Sequence, residues 1–307
     1  MHPPLSIIAF TVLSGAGYGL LALLGLGPVL GIGQSPDRAL ALTGGITALV
    51  LVTAGLGAST GHLANPRNVW RALFRWRTSW LSREGVLALA TYPFALAWLA
   101  GWWGSAGTEP VPGWVSTAGA VAGLLGVATM LSTGMIYACL RTVRQWRTPL
   151  TPLNYLLIGL ALGALLAAWL GGSPAASGAA LVLVVLALIA KVLWLVGVGQ
   201  PASVSIEAAT SLRRATVRLL DVGHSAGTFL TREFLYEVAR SRLLMLRAVA
   251  IGAMFVIPAL VHLGGTPSAA ASGLAALCAI GGALVERWLF FAEARHAVTL
   301  FHGAART

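Results

Sequence analysis

The chain alternates between eight long apolar segments and short segments that are polar or basic. Each apolar segment approaches the roughly 20 residues that an α-helix needs to cross about 30 Å of hydrocarbon. The pattern therefore predicts an all-α, polytopic bundle of eight transmembrane helices, with residues 1–307 as a single integral membrane domain. The predicted spans are residues 5–26, 39–59, 86–104, 114–140, 153–170, 179–198, 246–263 and 270–291.

Small residues are dense in the first span, at Gly15, Gly17 and Gly19, and in the last span, at Gly281, Gly282 and Ala283. Small residues let helix backbones approach closely within a membrane, so we expect these glycines to lie at helix–helix contacts.

The basic side chains fall on one side of this series of spans. Of the 20 Lys and Arg residues, 18 lie in alternate loops or at the chain end on the same side, and the opposite loops hold only Arg38. Because positively charged loops remain in the cytoplasm, both termini and the three basic loops are expected to be cytoplasmic. The basic side carries Arg67, Arg71, Arg75, Arg77, Arg83, Arg141, Arg144, Arg147, Arg213, Arg214, Arg218, Arg232, Arg240, Arg242, Arg247, Arg287, Arg295 and Arg306.

Composition supports a membrane protein and excludes a soluble domain. The chain is 57% hydrophobic and 9% charged, and its mean hydropathy is +0.83. The net charge of the chain is +11, and such a positive charge would also suit a nucleic-acid-binding protein. Here the charges lie at helix ends, which favours lipid headgroups or an acidic protein partner and no nucleic acid. The residues that we expect to dock this partner are Arg67, Arg71, Arg75, Arg77, Arg83 and Arg144.

Residues 200–245 form the longest loop, which we expect to be cytoplasmic. Within it, apolar residues from Phe229 to Leu243 recur at roughly helical spacing, with charged residues between them and Thr231 as a helix N-cap. This pattern favours an interfacial helix that runs into the seventh span. The same surface is also suited to docking another subunit.

Ionisable and polar side chains gather at the predicted inner ends of the spans: His62, Glu84, Tyr137, Glu286 and Arg287. Such groups are costly near hydrocarbon, so each needs a functional or structural reason. A quinone site requires this combination, because its oxygens need proton-carrying partners while its ring and tail need an apolar slot. The alternative is that Glu84 pairs with a neighbouring Arg and that His62 caps a helix.

Lys191 is the only charged residue deep within a predicted span. Its side chain either extends towards the inner surface or pairs with Glu286. A bis-histidine haem needs two histidines at matching depth within the hydrocarbon, and the sequence has no such pair. The sequence also lacks a cysteine cluster for a metal or iron–sulfur site. We therefore expect neither haem nor metal in this chain.

Motifs along the whole chain resemble the membrane anchor subunits of the dimethyl sulfoxide reductase type, the quinone-linked anchors of molybdopterin oxidoreductases. The resemblance implies eight spans, no haem, and one site for ubiquinone or menaquinone close to an iron–sulfur subunit. The resemblance also implies that His62 and Glu84 are the functional pair of this quinone site. The motifs are Pro4-Leu5-Ser6, Phe10-Thr11-Val12, His62-Leu63 with Pro66, Ser79-Trp80-Leu81-Ser82-Arg83-Glu84, Met135-Ile136-Tyr137-Ala138, Trp146, Thr148-Pro149-Leu150-Thr151-Pro152, and Glu286-Arg287 with Phe290-Phe291.

Residues 224–240 are similar to a longer-loop branch of this family that includes the anchors of cytoplasmic sulfite-oxidising enzymes. The predicted orientation puts His62 and Glu84 on the cytoplasmic side, which agrees with a cytoplasmic catalytic partner. The resemblance thus implies a subunit in the bacterial cytoplasmic (inner) membrane that reduces quinone during sulfite oxidation. Molybdopterin and iron–sulfur clusters would reside only in its partner subunits, and the chain alone would contain no catalytic residues.

Three alternatives remain at this point. In the first, the same anchor works in the opposite direction, oxidising quinol and passing the electrons to a reductase. A secondary transporter would have broken helices, for which Pro93 and Pro258 are the candidates. A purely structural anchor would have no quinone site.

Overall fold

The structure is a computed structural model that describes residues 4–32, 35–61, 69–105, 110–199, 206–210, 217 and 240–302. Its described part contains eight helices that are long and apolar enough to cross a membrane, which confirms the predicted number. The chain is therefore a multi-pass membrane protein. The helices are α1 (Leu5–Leu30), α2 (Arg38–Thr60), α3 (Trp80–Gly104), α4 (Gly113–Ala138), α5 (Leu150–Gly171), α6 (Pro174–Gly199), α7 (Arg242–Leu263) and α8 (Ala269–Ala292).

The helix ends are set by capping residues outside the apolar segments. At the start of α3, the Ser79 hydroxyl accepts a hydrogen bond from the Ser82 amide at 3.4 Å. Helix α3 consequently begins six residues earlier than its apolar segment, and Glu84 lies inside its second turn. Asp37 caps α2 in the same way, through a 2.7 Å bond from the Leu40 amide.

Helix α1 is the centre of the bundle. In the most hydrophobic 18-residue stretch of α1, 78% of the residues are buried. The corresponding stretch of α7, at the periphery, has 22% of its residues buried. Gly19 of α1 faces Gly159 and Gly163 of α5 so closely that a Cβ on Gly19 or Gly163 would meet the backbone of the opposite helix. The predicted packing role is confirmed for the glycines of α1 and for Gly282, whereas Gly281 has open space beside it.

Two helices contain a π turn that is followed by a proline. Residues Ala22–Leu26 of α1 precede Pro28, and Gly252–Val256 of α7 precede Pro258. A proline lacks an amide donor and its ring crowds the preceding turn, and local widening of the helix relieves this crowding. Helix α3 passes through Pro93 without interruption. Neither candidate proline therefore breaks its span.

The ends of the bundle differ in charge. We call the end that carries Arg83, Arg144 and Arg295 the basic end. At the opposite end, Arg38 donates hydrogen bonds from Nε to the Trp102 carbonyl (3.2 Å) and from Nη2 to the Trp103 carbonyl (3.1 Å). These carbonyls belong to the last turn of α3, where carbonyls lack an amide partner in the helix, and the Trp102 carbonyl also accepts from the Ser105 hydroxyl at 3.0 Å. Arg38, the arginine of the loops opposite the basic end, thus has a structural role.

The long loop is described only at 206–210, 217 and from Arg240 onward. Ile206–Ala209 form one helical turn, and the helix that becomes α7 already begins at Arg240. Most of the predicted interfacial helix, including Thr231, lies outside the described residues.

Candidate functional site

Glu84 is buried near the basic end, with 4% of its surface exposed. Its carboxyl is hydrogen-bonded to the Thr133 hydroxyl of α4, and that hydroxyl also lies 3.0 Å from the Thr129 carbonyl. A hydroxyl has one proton, so it can donate to the carboxylate or to the carbonyl. When it donates to the carbonyl, a protonated Glu84 can donate to Thr133. The contact therefore accommodates Glu84 in both protonation states.

No Lys or Arg of the described residues forms an ion pair with Glu84. The alternative in which a neighbouring arginine neutralises this carboxyl is therefore wrong for that part of the chain. Arg83, the adjacent arginine, instead donates to the carbonyls of Trp76 (2.9 Å) and Arg77 (2.8 Å). A buried carboxyl without a cation is expensive to maintain, which marks Glu84 as a functional candidate.

Three tyrosines lie within electrostatic range of this carboxyl: Tyr18 of α1, Tyr137 of α4 and Tyr155 of α5. Tyr137 follows Thr133 by one helical turn, so both lie on the same face of α4. The Glu84 pocket, which we define as Glu84, Thr133 and these tyrosines, thus combines one carboxyl with several hydroxyls in a buried setting.

An aromatic cluster adjoins the pocket. Tyr137 stacks on Tyr155 with ring centroids 5.5 Å apart, and it meets Trp146 and Phe290 edge-on at 5.3 and 5.4 Å. Trp146 stacks on Phe290 at 5.0 Å and donates from Nε1 to the Phe290 carbonyl at 3.1 Å. The cluster fastens α4, α5 and α8 together at the basic end.

A buried charge cluster lies on the other side of these rings. The guanidinium of Arg287 stacks over Tyr155 at 3.7 Å from the ring centroid and lies 3.3 Å from Glu286 Oε2. The other oxygen of Glu286 pairs with Lys191, whose Nζ also lies 4.1 Å above the Trp194 ring. The predicted alternative that Lys191 pairs with Glu286 is therefore confirmed. The cluster joins α6 to α8 in the membrane.

A partly open cleft reaches this charge cluster between α6, α7 and α8. It encloses about 340 Å³ of empty space, its mouth included. Near the basic end, Arg247 Nε donates to Glu293 Oε1 at 2.9 Å. The π turn of α7 contributes Met254 and Phe255 to the wall, as is common for π turns at functional positions. The cleft is lined by Lys191, Trp194, Leu195, Arg247, Ala250, Ile251, Met254, Phe255, Glu286, Leu289, Phe290 and Glu293.

The segment after α8 closes the basic end over the aromatic cluster. Val143 forms an isolated β-bridge with His296, and the Arg295 amide donates to Gln145 Oε1 at 2.8 Å. Desolvation at this partly buried position lowers the pKa of His296 below its ordinary value, which favours the neutral ring. Its Nδ1 accepts a bond from the Val298 amide at 3.1 Å.

The structure brings four of the five predicted site residues together: Glu84, Tyr137, Glu286 and Arg287. The fifth, His62, lies outside the described residues. Sequence reasoning did not identify Tyr155, which links the Glu84 pocket to the charge cluster, because it is one polar residue within an apolar segment. Thr133 was detectable in principle, since it lies one turn before Tyr137.

The predicted docking residues lie in two settings. Three of the exposed ones, Arg71, Arg75 and Arg77, lie in the same segment as the exposed aromatic rings of Trp70, Phe74 and Trp76. Arg144 lies in the loop between α4 and α5. Arg83 is turned back onto the loop, so less of its guanidinium faces outward, and Arg67 lies outside the described residues. The exposed predicted docking residues are Arg71, Arg75, Arg77 and Arg144.

Comparisons with known proteins cover almost the whole chain. The family model described as DMSO reductase anchor subunit (DmsC) matches residues 1–293. Over 98% of its length the chain is 34% identical to a subunit of the sulfite dehydrogenase of Allochromatium vinosum, and the match covers 99% of that relative. No solved structure matches the chain.

Proposed function

Because the chain belongs to the DMSO reductase anchor subunit family, we propose that it binds quinone in the bacterial cytoplasmic membrane and passes electrons to it. The family membership confirms the resemblance derived from the motifs, and it identifies the chain as a membrane anchor subunit with catalytic and electron-transfer partners. In the proposal, a molybdopterin subunit oxidises the substrate and an iron–sulfur subunit delivers the electrons to this chain.

The burial of Glu84 without a cation partner in the described part of the chain is the observation that carries the proposal. A quinone oxygen accepts hydrogen bonds and takes up a proton on reduction, so it needs a donor that can be recharged. Glu84 can be such a donor because its contact with Thr133 tolerates both protonation states. The aromatic cluster supplies ring faces for the head group, and the surrounding apolar side chains suit the isoprenoid tail.

The exposed arginines and aromatic rings of residues 70–77 support docking of the iron–sulfur subunit at the basic end. Arginine and tryptophan are enriched where protein interfaces bind most strongly. A partner with an acidic surface would be steered to this face and would bring its cluster close to the Glu84 pocket.

Sulfite is the proposed substrate of the complex, and quinone its electron acceptor. The relative from Allochromatium vinosum, which is part of a sulfite dehydrogenase by name, supports this choice. So does the excess of basic residues at the end that contains Glu84, which favours a cytoplasmic catalytic partner. The name of the family model favours the reverse direction, in which quinol feeds a reductase.

The test of the quinone site is Glu84→Gln in the complete complex. We expect sulfite-to-quinone turnover to fall by about 100-fold, a typical contribution of a general acid or base. Turnover with an artificial acceptor that takes electrons from the iron–sulfur subunit should stay unchanged, and Glu84→Asp should retain part of the quinone activity. His62→Ala is expected to behave like Glu84→Gln. Unchanged quinone turnover in Glu84→Gln, with the complex assembled, would refute the proposed site.

The direction of electron flow is tested with the same preparation. Sulfite with oxidised quinone should give rapid turnover, and quinol with dimethyl sulfoxide should give none. The opposite result would assign the chain to a quinol-oxidising reductase.

A further inference from the structure

Residues 70–77 are fastened to the start of α3, next to Glu84. The Ser82 hydroxyl donates a hydrogen bond to the Leu73 carbonyl at 3.0 Å, and Ser82 is only 1% exposed. The amide of the same serine donates to the Ser79 hydroxyl that caps α3, at 3.4 Å. Ser82 therefore bonds both the cap of α3 and the preceding segment, two positions before Glu84.

The residues on either side of this glutamate contact the same segment. Arg83 donates to the carbonyls of Trp76 and Arg77, at 2.9 and 2.8 Å. A Cβ on Gly85 would lie 2.9 Å from Leu73 Cδ2, so the Leu73 side chain packs directly against the glycine. We call these contacts the clamp, which comprises Ser82, Arg83 and Gly85 of α3 together with residues 73–77.

Both parts that the clamp joins depend on it. Val69–Ala72 form one helical turn and Leu73–Arg75 a 3-10 turn, and helices this short are not stable without tertiary contacts. The ends of long helices fray, and Glu84 lies only in the second turn of α3. The clamp thus stabilises the segment and the helical turn that carries Glu84 as one unit.

The segment presents its remaining large side chains outward. Trp70, Phe74 and Trp76 are 52, 75 and 53% exposed, and the arginines between and beside them are exposed as well. These are the side chains that support docking of the iron–sulfur subunit in the proposed function. A subunit bound to them would hold the segment and, through the clamp, the first two turns of α3.

We propose that the clamp couples docking of the iron–sulfur subunit to the affinity of the Glu84 pocket for quinone. The proposal rests on the proposed function, and it assigns Ser82 as a positioning residue. Quinone binding has to order the turn that carries Glu84, and a docked subunit has already supplied that order. Quinone therefore binds more tightly to the complete complex than to the isolated chain, by about fivefold, the lower end of common coupling factors.

Coupling between two binding sites is reciprocal, so quinone strengthens docking by the same factor. The pocket then binds quinone most tightly when its electron donor is in place. A chain that has not assembled with its partners competes less for the quinone pool.

The primary test is Ser82→Ala, which removes the hydroxyl that reaches Leu73. Equilibrium dialysis measures the dissociation constant of a short-chain ubiquinone (or menaquinone, if only that supports turnover) for the isolated chain and for the complete complex. The ratio of the two constants is the coupling factor. We expect a factor of about 5 for the wild type and below about 2 for Ser82→Ala.

The matched control is Ser105→Ala, at the opposite end of the same helix. Ser105 is also buried, and its hydroxyl also donates to a main-chain carbonyl at 3.0 Å, that of Trp102. The control loses a comparable hydrogen bond without touching the clamp, so it should keep the wild-type coupling factor.

Hydrogen exchange of the same preparations tests how the coupling is transmitted. In the wild type, the partner should slow amide exchange both in residues 70–77 and in the first two turns of α3. In Ser82→Ala, the partner should slow exchange in residues 70–77 alone, because the segment no longer holds α3.

A second variant, Leu73→Ala, leaves the Ser82 hydroxyl and the Leu73 carbonyl in place and empties the space beside Gly85. It should lower the coupling factor as Ser82→Ala does. Gly85→Ala added to Leu73→Ala puts a methyl group into that space and should restore part of the factor.

The outcomes separate this inference from the proposed function. If Glu84→Gln weakens quinone binding while Ser82→Ala and Leu73→Ala keep the wild-type factor, the quinone site stands and the coupling is wrong. Equal dissociation constants for the isolated wild-type chain and the complex also refute the coupling. If the partner leaves exchange in residues 70–77 unchanged, docking occurs elsewhere and the coupling fails with it. If Glu84→Gln alters neither quinone turnover nor quinone affinity, the proposed site fails first.

Discussion

The stability of the bundle should respond unequally to removal of the two partners of the buried pair. Glu286→Leu would leave both Lys191 and Arg287 without a carboxylate within 4 Å among the described residues. Lys191→Met would leave Glu286 with Arg287, whose Nη1 lies 3.3 Å from Oε2. The Glu286 substitution therefore leaves two uncompensated buried cations, and the Lys191 substitution leaves an ion pair.

The expected magnitudes follow from these contacts. Leaving a buried charge unpaired costs about 3–5 kcal/mol, so Glu286→Leu should lie in that range or above it. Lys191→Met should cost less than about 3 kcal/mol, because the carboxylate keeps one cation. The double variant removes the attraction together with both of its partners. It should therefore be less destabilised than the sum of the single variants, by about 1–3 kcal/mol.

The measurement is a double-mutant cycle on reversible unfolding of the purified chain in mixed micelles, followed by loss of helical circular dichroism. All variants need the same lipid and detergent composition, because the unfolded reference state also lies within the micelle. The reasoning is refuted if the two single effects simply add. It is also refuted if Lys191→Met destabilises the protein more than Glu286→Leu does, because the contact with Arg287 would then not protect the carboxylate.

Four further predictions concern packing, orientation, cofactor content and energetics. Gly163→Ala puts a methyl group against the backbone of Gly19 and should cost about 1–3 kcal/mol by overpacking, whereas Gly281→Ala, which has open space, should be neutral in the same unfolding assay. With a cytoplasmic C-terminus, a C-terminal alkaline phosphatase fusion should be inactive in cells and a green fluorescent protein fusion should be fluorescent. An active phosphatase fusion would show that the C-terminus lies on the opposite side. The dithionite-reduced spectrum of the purified chain should lack a b-type α band, and such a band would show that histidines do bind haem. Proteoliposomes that hold the whole complex, quinone and sulfite should develop no sustained membrane potential, because substrate oxidation and quinone protonation would exchange protons with one compartment. An ionophore-sensitive signal from a voltage-sensitive dye would instead indicate a proton path to the opposite side.

The amino-acid sequence determined the membrane architecture by itself. A span needs about 20 apolar residues, and the expected orientation depends on which loops carry positive charge. Both can be counted along the chain, segment by segment. For the same reason the sequence identified Glu84, Glu286 and Lys191, because any ionisable residue close to hydrocarbon stands out against its surroundings. The ordered motifs then indicated the family, which the comparisons confirmed.

The tertiary structure decided which of these residues face one another. Glu84 bonds Thr133 and not the neighbouring Arg83, because the α3 cap at Ser79 directs the carboxyl into the bundle while Arg83 turns to the loop carbonyls. In a transmembrane helix that is apolar on all sides, the hydrophobic pattern does not distinguish one face from another. Helical periodicity therefore does not indicate which face packs against a neighbouring helix.

The place of Tyr155 shows the same limit. Its position between Tyr137 and Arg287 depends on the crossing of α5 against α1, which the glycines of both helices permit through direct backbone contact. The sequence marks those glycines as small residues, but the partner and register of each contact depend on how whole helices fit together. The length of each apolar segment and the charge of each loop can therefore be predicted from that segment alone. A site shared among α3, α4, α5 and α8 forms only after the helices have packed.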